Sequence, residues 1–115
     1  MLGPLESEVM RALWAADEPL PVRAVLGALN KRRRPPLAYT TVMTVLSRLS
    51  DKEILRRRRV GRGYAYEPAV PDEAAIAVRE AVRDYGDAAV AHFVDEARAD
   101  PRLRRRLQRL LQEDG

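Results

Sequence analysis

The chain has 115 residues, with 21 Lys/Arg, 17 Asp/Glu, one His and no Cys. That length suits one small domain with a short appendage and excludes a two-domain enzyme; the lack of cysteine excludes disulfides, thiolate zinc sites and a cysteine nucleophile. The formal charge of +4 is unevenly spread: residues 31–62 hold 11 Lys/Arg against 2 Asp/Glu, whereas residues 71–115 hold 8 against 10.

The first segment, residues 4–16, places Leu5, Val9, Leu13 and Ala16 at helix spacing, with Glu6, Glu8 and Arg11 outward. Gly3-Pro4 opens it, because proline at the first helical position loses no needed hydrogen bond, and Asp17-Glu18-Pro19 ends it. Trp14 reads as a core or half-buried packing residue. The second segment runs from Pro21 to about Arg32, with Val22, Val25, Leu26 and Leu29 on one face. Pro35 and Pro36 forbid its continuation.

The third segment, residues 38–52, carries an apolar stripe of Val42, Val45, Leu46 and Leu49. Its other side holds Tyr39, Thr40, Thr41, Met43, Thr44, Ser47 and Arg48. A helix face selected only for solubility carries Glu and Lys, and threonine is a poor helix former. Short hydroxyl and methyl groups instead suit close approach to base edges and thymine methyls. Ile54-Leu55, four consecutive arginines, Gly61-Arg62-Gly63 and Tyr64-Ala65-Tyr66 then read as a β-hairpin with Arg62 at its tip. Three helices followed by a basic hairpin is the order of a winged helix-turn-helix, whose third helix enters the major groove while the wing follows the phosphates.

Beyond Pro68 and Pro71 the character changes, dividing the chain into a DNA-binding domain over residues 1–70 and a helical region over residues 71–115. Residues 72–85 read as a helix with Val78, Val82 and Tyr85 on one face and Ile76 near it. After Gly86-Asp87 a second helix carries Val90, Phe93, Val94 and Ala97. Asp100-Pro101 caps a third, with Leu103, Leu107, Leu110 and Leu111 set against five arginines. Three short amphipathic helices need the N-terminal domain or a second copy of themselves to cover their apolar faces. A DNA reader of this size gains a useful site length as a pair, so Ile76, Val90, Phe93, Val94, Leu103, Leu107 and Leu110 are expected to mediate homodimerisation.

The stretches LGPLESEVMRALW, LAYTTVMTVLSRLSDKEIL, RRVGRGYAYEP and AHFVDE resemble the penicillinase-repressor (BlaI/MecI) family of bacterial transcriptional regulators along nearly the full chain. The resemblance implies a homodimeric repressor on a palindromic operator, bound through the third helix and wing. Thr40, Thr41, Met43 and Thr44 fall where the family faces bases. Tyr39, Arg48, Arg58, Arg62 and Tyr64 are expected at the DNA backbone or on the wing. Some members have Arg where Met43 stands, which implies altered selectivity here. Relatives commonly carry Gly where Glu53 stands, and a left-handed Glu is strained, so a different helix exit is expected. The lack of cysteine disfavours the copper-responsive branch, whose tail is cysteine-rich. In β-lactam-responsive members induction proceeds by proteolysis at an Asn-Phe bond, implying a membrane sensor protease as partner. The matching residues here are His92-Phe93, where Phe93 reads equally as an apolar anchor of its helix.

No enzyme is legible. One His and no Gly-rich elbow around any Ser supply no nucleophile–base pair, Gly61-Arg62-Gly63 lacks the Lys-Ser/Thr of a phosphate loop, and nothing implies a cofactor or metal. No apolar run approaches the roughly 18 residues that cross a bilayer, so a cytoplasmic protein without membrane insertion is expected. Two rivals share the basic block: a nonspecific or architectural DNA binder, and a winged-helix module that binds protein.

Overall fold

The computed structural model describes residues 2–113. Its elements are α1 (Pro4–Ala15), β1 (Leu20–Pro21), α2 (Val22–Asn30), α3 (Tyr39–Asp51), β2 (Leu55–Val60), β3 (Gly63–Pro68), α4 (Glu73–Tyr85), α5 (Asp87–Ala99) and α6 (Pro101–Glu113). The fold is a winged helix-turn-helix followed by a helical region.

Helix α1 begins with Pro4 in its first turn, and the Glu6 carboxylate accepts the Gly3 N–H at 3.0 Å. It buries Val9, Met10 and Leu13, α2 buries Val22 and Val25, and α3 buries the expected Val42, Val45, Leu46 and Leu49. These side chains join Ile54, Leu55, Tyr66, Val70 and Ile76 in one core. Trp14 is half-buried, and its indole N–H donates to the Val70 carbonyl at 2.9 Å, tying the exit of the wing to α1.

Two boundaries differ from expectation. Helix α2 starts at Val22, because Leu20 and Pro21 form a short strand paired with Tyr66 and Ala65 of β3. The sheet therefore has three strands in the order β1-β3-β2, and Pro21 is tolerated because β1 is an edge. The helix also ends at Asn30, short of Arg32. The Asn30 side chain accepts the Leu37 N–H at 2.8 Å and donates to the Leu37 carbonyl at 3.1 Å, clamping the α2–α3 connection.

The exit of α3 corrects a further expectation, because Glu53 stands at φ 62 and keeps the left-handed exit. Its N–H donates to the Ser50 carbonyl at 3.0 Å, and the Ile54 N–H to the Leu49 carbonyl at 2.9 Å. That pair of bonds is a Schellman motif, closed by burial of Leu49 and Ile54. The core contact of Ile54 holds the exit in place although residue 53 has a side chain.

Contacts divide the chain into one unit up to Ile76 and another from Ala77 onward. Asp72 accepts the Ala75 N–H at the start of α4, and Gly86 breaks the chain between α4 and α5 at φ 53. Asp100 accepts the Arg102 and Leu103 N–H groups to cap α6. Helices α5 and α6 pack on one another. Among the described residues, no helix is long and apolar enough to cross a membrane.

Candidate nucleic-acid interface

Burial of Val42, Val45, Leu46 and Leu49 turns the opposite side of α3 outward, so Tyr39, Thr40, Thr41, Met43, Thr44 and Arg48 are all exposed. The Thr44 hydroxyl donates to the Thr40 carbonyl at 2.9 Å, which leaves its lone pairs and methyl group toward solvent.

The wing is the β2–β3 hairpin, joined by the two-residue loop Gly61-Arg62. Gly61 adopts φ 61, as the first position of a II′ loop requires, and the exposed Arg62 sits beside it at the tip. Residues opposite one another share a face, so Arg57 goes with Tyr66 and Arg59 with Tyr64, while Arg56 goes with Glu67 and Arg58 with Ala65.

The tyrosine face of the wing meets α3. Tyr64 and Tyr66 line a cleft of about 330 Å³ with Tyr39 and Met43 of α3 and Arg23 of α2. The Arg57 guanidinium lies 4.5 Å from the centre of the Tyr64 ring, and that of Arg23 lies 5.6 Å from the centre of Tyr39. Of the expected contact residues, Tyr39, Met43 and Tyr64 are thus brought into one cleft.

Arg58 is not brought there. Its Nε lies 3.0 Å from the Glu67 carboxylate, on the other face of the hairpin beside Glu18, Pro19 and Val60. Arg57 and Arg59, rather than Arg58, share the tyrosine face of the wing, and Arg57 is the one that lies over the Tyr64 ring. In sequence it is one of four consecutive arginines; strand register assigns it and Arg59 to the tyrosine face, and the contact with Tyr64 sets it apart. Arg23 is missed altogether. Its signal is weak: a basic residue in the opening turn of the helix before the recognition helix. Arg33 pairs with Glu8, which draws it back onto α1.

In the second unit, Val78 and Val82 of α4 and Val90 and Phe93 of α5 line an apolar groove of about 290 Å³. Val90, Phe93, Leu103 and Leu110 are exposed, whereas Val94 and Leu107 are half-covered. Ile76 does not belong to this set. It is 1 % exposed and completes the first unit's core, because it lies on the opening turn of α4, where that helix still packs there. His92 is exposed on α5.

Comparison with known proteins is consistent along the chain. The penicillinase repressor family model matches residues 2–113. The transcriptional regulator BlaI from each of two Mycobacterium tuberculosis strains, CDC 1551 / Oshkosh and ATCC 25618 / H37Rv, is 42 % identical over 118 residues, covering 95 % of this chain and 84 % of the relative. The solution structure of Bacillus licheniformis BlaI, a monomeric form in complex with the blaP half-operator, superimposes with a TM-score of 0.52 at 28 % identity, covering 64 % of this chain and 85 % of that one. The complex structure of hsRosR-S1 covers 98 % of this chain and 91 % of its own at a TM-score of 0.54; at 14 % identity that likeness shows the fold alone.

Proposed function

Because the chain belongs to the penicillinase repressor family of transcriptional regulators, we propose that it is a sequence-specific DNA-binding repressor that occupies a palindromic promoter operator as a homodimer. The observation that carries this reading is the outward face of α3. Three threonines and a methionine stand there without a core to pack on, next to a wing rich in arginine. Thr40, Thr41, Met43 and Thr44 approach base edges, and Arg48 and Arg62 reach phosphates. The part up to Ile76 reads DNA, and the part from Ala77 onward holds two copies together through Val90, Phe93, Leu103 and Leu110.

Genes of the β-lactam response or a related stress response are the regulon this reading names. Relief by a membrane sensor protease is compatible with it, since a cut at His92–Phe93 would sever α5 and open the groove that Phe93 lines.

Fluorescence anisotropy tests the reading with a labelled duplex from the protein's own promoter and a scrambled duplex beside it. The promoter duplex is expected to bind at least about a thousandfold tighter, with two protomers per duplex. Equal binding of both would make the protein a nonspecific binder. Binding of neither would leave a protein-interaction module.

A further inference from the structure

Five arginines of the first unit are held in two different ways. Arg33 faces Glu8, and Arg56 and Arg58 converge on Glu67 at 3.7 and 3.0 Å. A phosphate that approaches those guanidiniums competes with a carboxylate already beside them. Arg57 and Arg23 lie instead over the rings of Tyr64 and Tyr39. A ring face takes up no N–H donor, restricts the rotamers of a long side chain, and leaves the edge of the guanidinium for an anion. Both rings line the same cleft, to which Met43 adds an apolar surface.

We propose that this cleft seats one sugar-phosphate strand of the bound duplex, gripped from the wing by Arg57 and from α2 by Arg23. Tyr64 and Tyr39 are positioning residues that hold those two guanidiniums ready. The proposal rests on the DNA-binding reading above and adds to it the residues that fix the protein's register on the backbone. Preorganised arginines lose less freedom on binding than solvated ones, so the rings contribute affinity by holding those two guanidiniums in place.

The test is duplex binding by anisotropy across a salt series, with the promoter and scrambled duplexes as probes and thermal unfolding as a check on folding. Arg57→Ala is expected to lower the slope of log K against log salt by about 0.9, and Arg23→Ala with Arg57→Ala by about 1.8. Both duplexes lose affinity alike, because phosphates carry no sequence. Tyr64→Leu is expected to weaken binding severalfold, and combining it with Arg57→Ala should add nothing further. Tyr64→Phe, which keeps the ring, should bind as the wild type does. Slopes unchanged in both arginine variants, with the wild type still binding, would overturn the cleft and leave the repressor reading standing. Additive effects of Tyr64→Leu and Arg57→Ala would overturn the positioning role of the ring. A wild type without salt-dependent binding to either duplex would overturn both readings.

Discussion

At Thr44 the side chain's donor is already spent on the Thr40 carbonyl, so toward a base it offers only lone pairs and a methyl group. It can accept from adenine N6 or cytosine N4, or touch a thymine methyl. Thr44→Ala is expected to relax preference at one operator position by roughly 1–3 kcal/mol. Thr44→Val separates the two modes, since it keeps methyl contact and removes the acceptor; binding to single-base variants of the operator decides between them. Because alanine favours an exposed helix over threonine by up to about 0.7 kcal/mol, the same Thr44→Ala protein should unfold at slightly higher denaturant. A gain in stability with a loss of discrimination is the mark of a residue kept for recognition. Glu53 is the opposite case, where a strained backbone belongs to the Schellman exit of α3. A left-handed side-chain residue costs roughly 1–2 kcal/mol, so Glu53→Gly is expected to stabilise the protein by about 0.5–1 kcal/mol in urea unfolding, whereas Glu53→Ala keeps the strain.

Among the elements, the wing carries its own brake. Glu67 of β3 faces Arg56 and Arg58 of β2 and shares one negative charge between two of the hairpin's positive charges. The arginine ends of these pairs are exposed, and Glu67 is half-buried but still in contact with solvent. Surface pairs contribute roughly 0–1 kcal/mol to stability, so the isosteric Glu67→Gln should fold normally. It should also bind a scrambled duplex more tightly, with a steeper salt dependence, and so lower the ratio of specific to nonspecific affinity. Electrophoretic mobility shifts on the two duplexes measure that ratio; an unchanged ratio would mean that the outer face of the hairpin never nears DNA. Helices α1, α2 and α3 are legible in the sequence because each pairs a 3.6-residue apolar stripe with a proline or glycine boundary. Strand β1 is not, since two residues have no period and one of them is proline. The face of each wing arginine is hidden for a related reason. Four identical residues from Arg56 to Arg59 erase the alternation that assigns faces, and only the pairing with β3 restores it.

On the scale of the whole molecule, periodicity shows which face of a helix is apolar but not what covers it. Ile76 and Val78 lie two residues apart in α4, yet Ile76 is 1 % exposed in the first unit's core while Val78 is 62 % exposed in the second unit's groove. Phe93 also lines that groove and is 52 % exposed, so a charge there costs the folded single chain little. In a dimer that buries the groove, the same charge would be desolvated without a partner. Phe93→Glu is therefore expected to sediment as a monomer with an unchanged helical spectrum. Its affinity for a half-operator should match the wild type, because α3 and the wing are untouched. Its affinity for the full palindrome should fall by about 10²–10⁴, the advantage that linking two modest sites confers. A Phe93→Glu protein that stays dimeric in analytical ultracentrifugation would move the contact onto α6, where Leu103 and Leu110 are the next residues to charge.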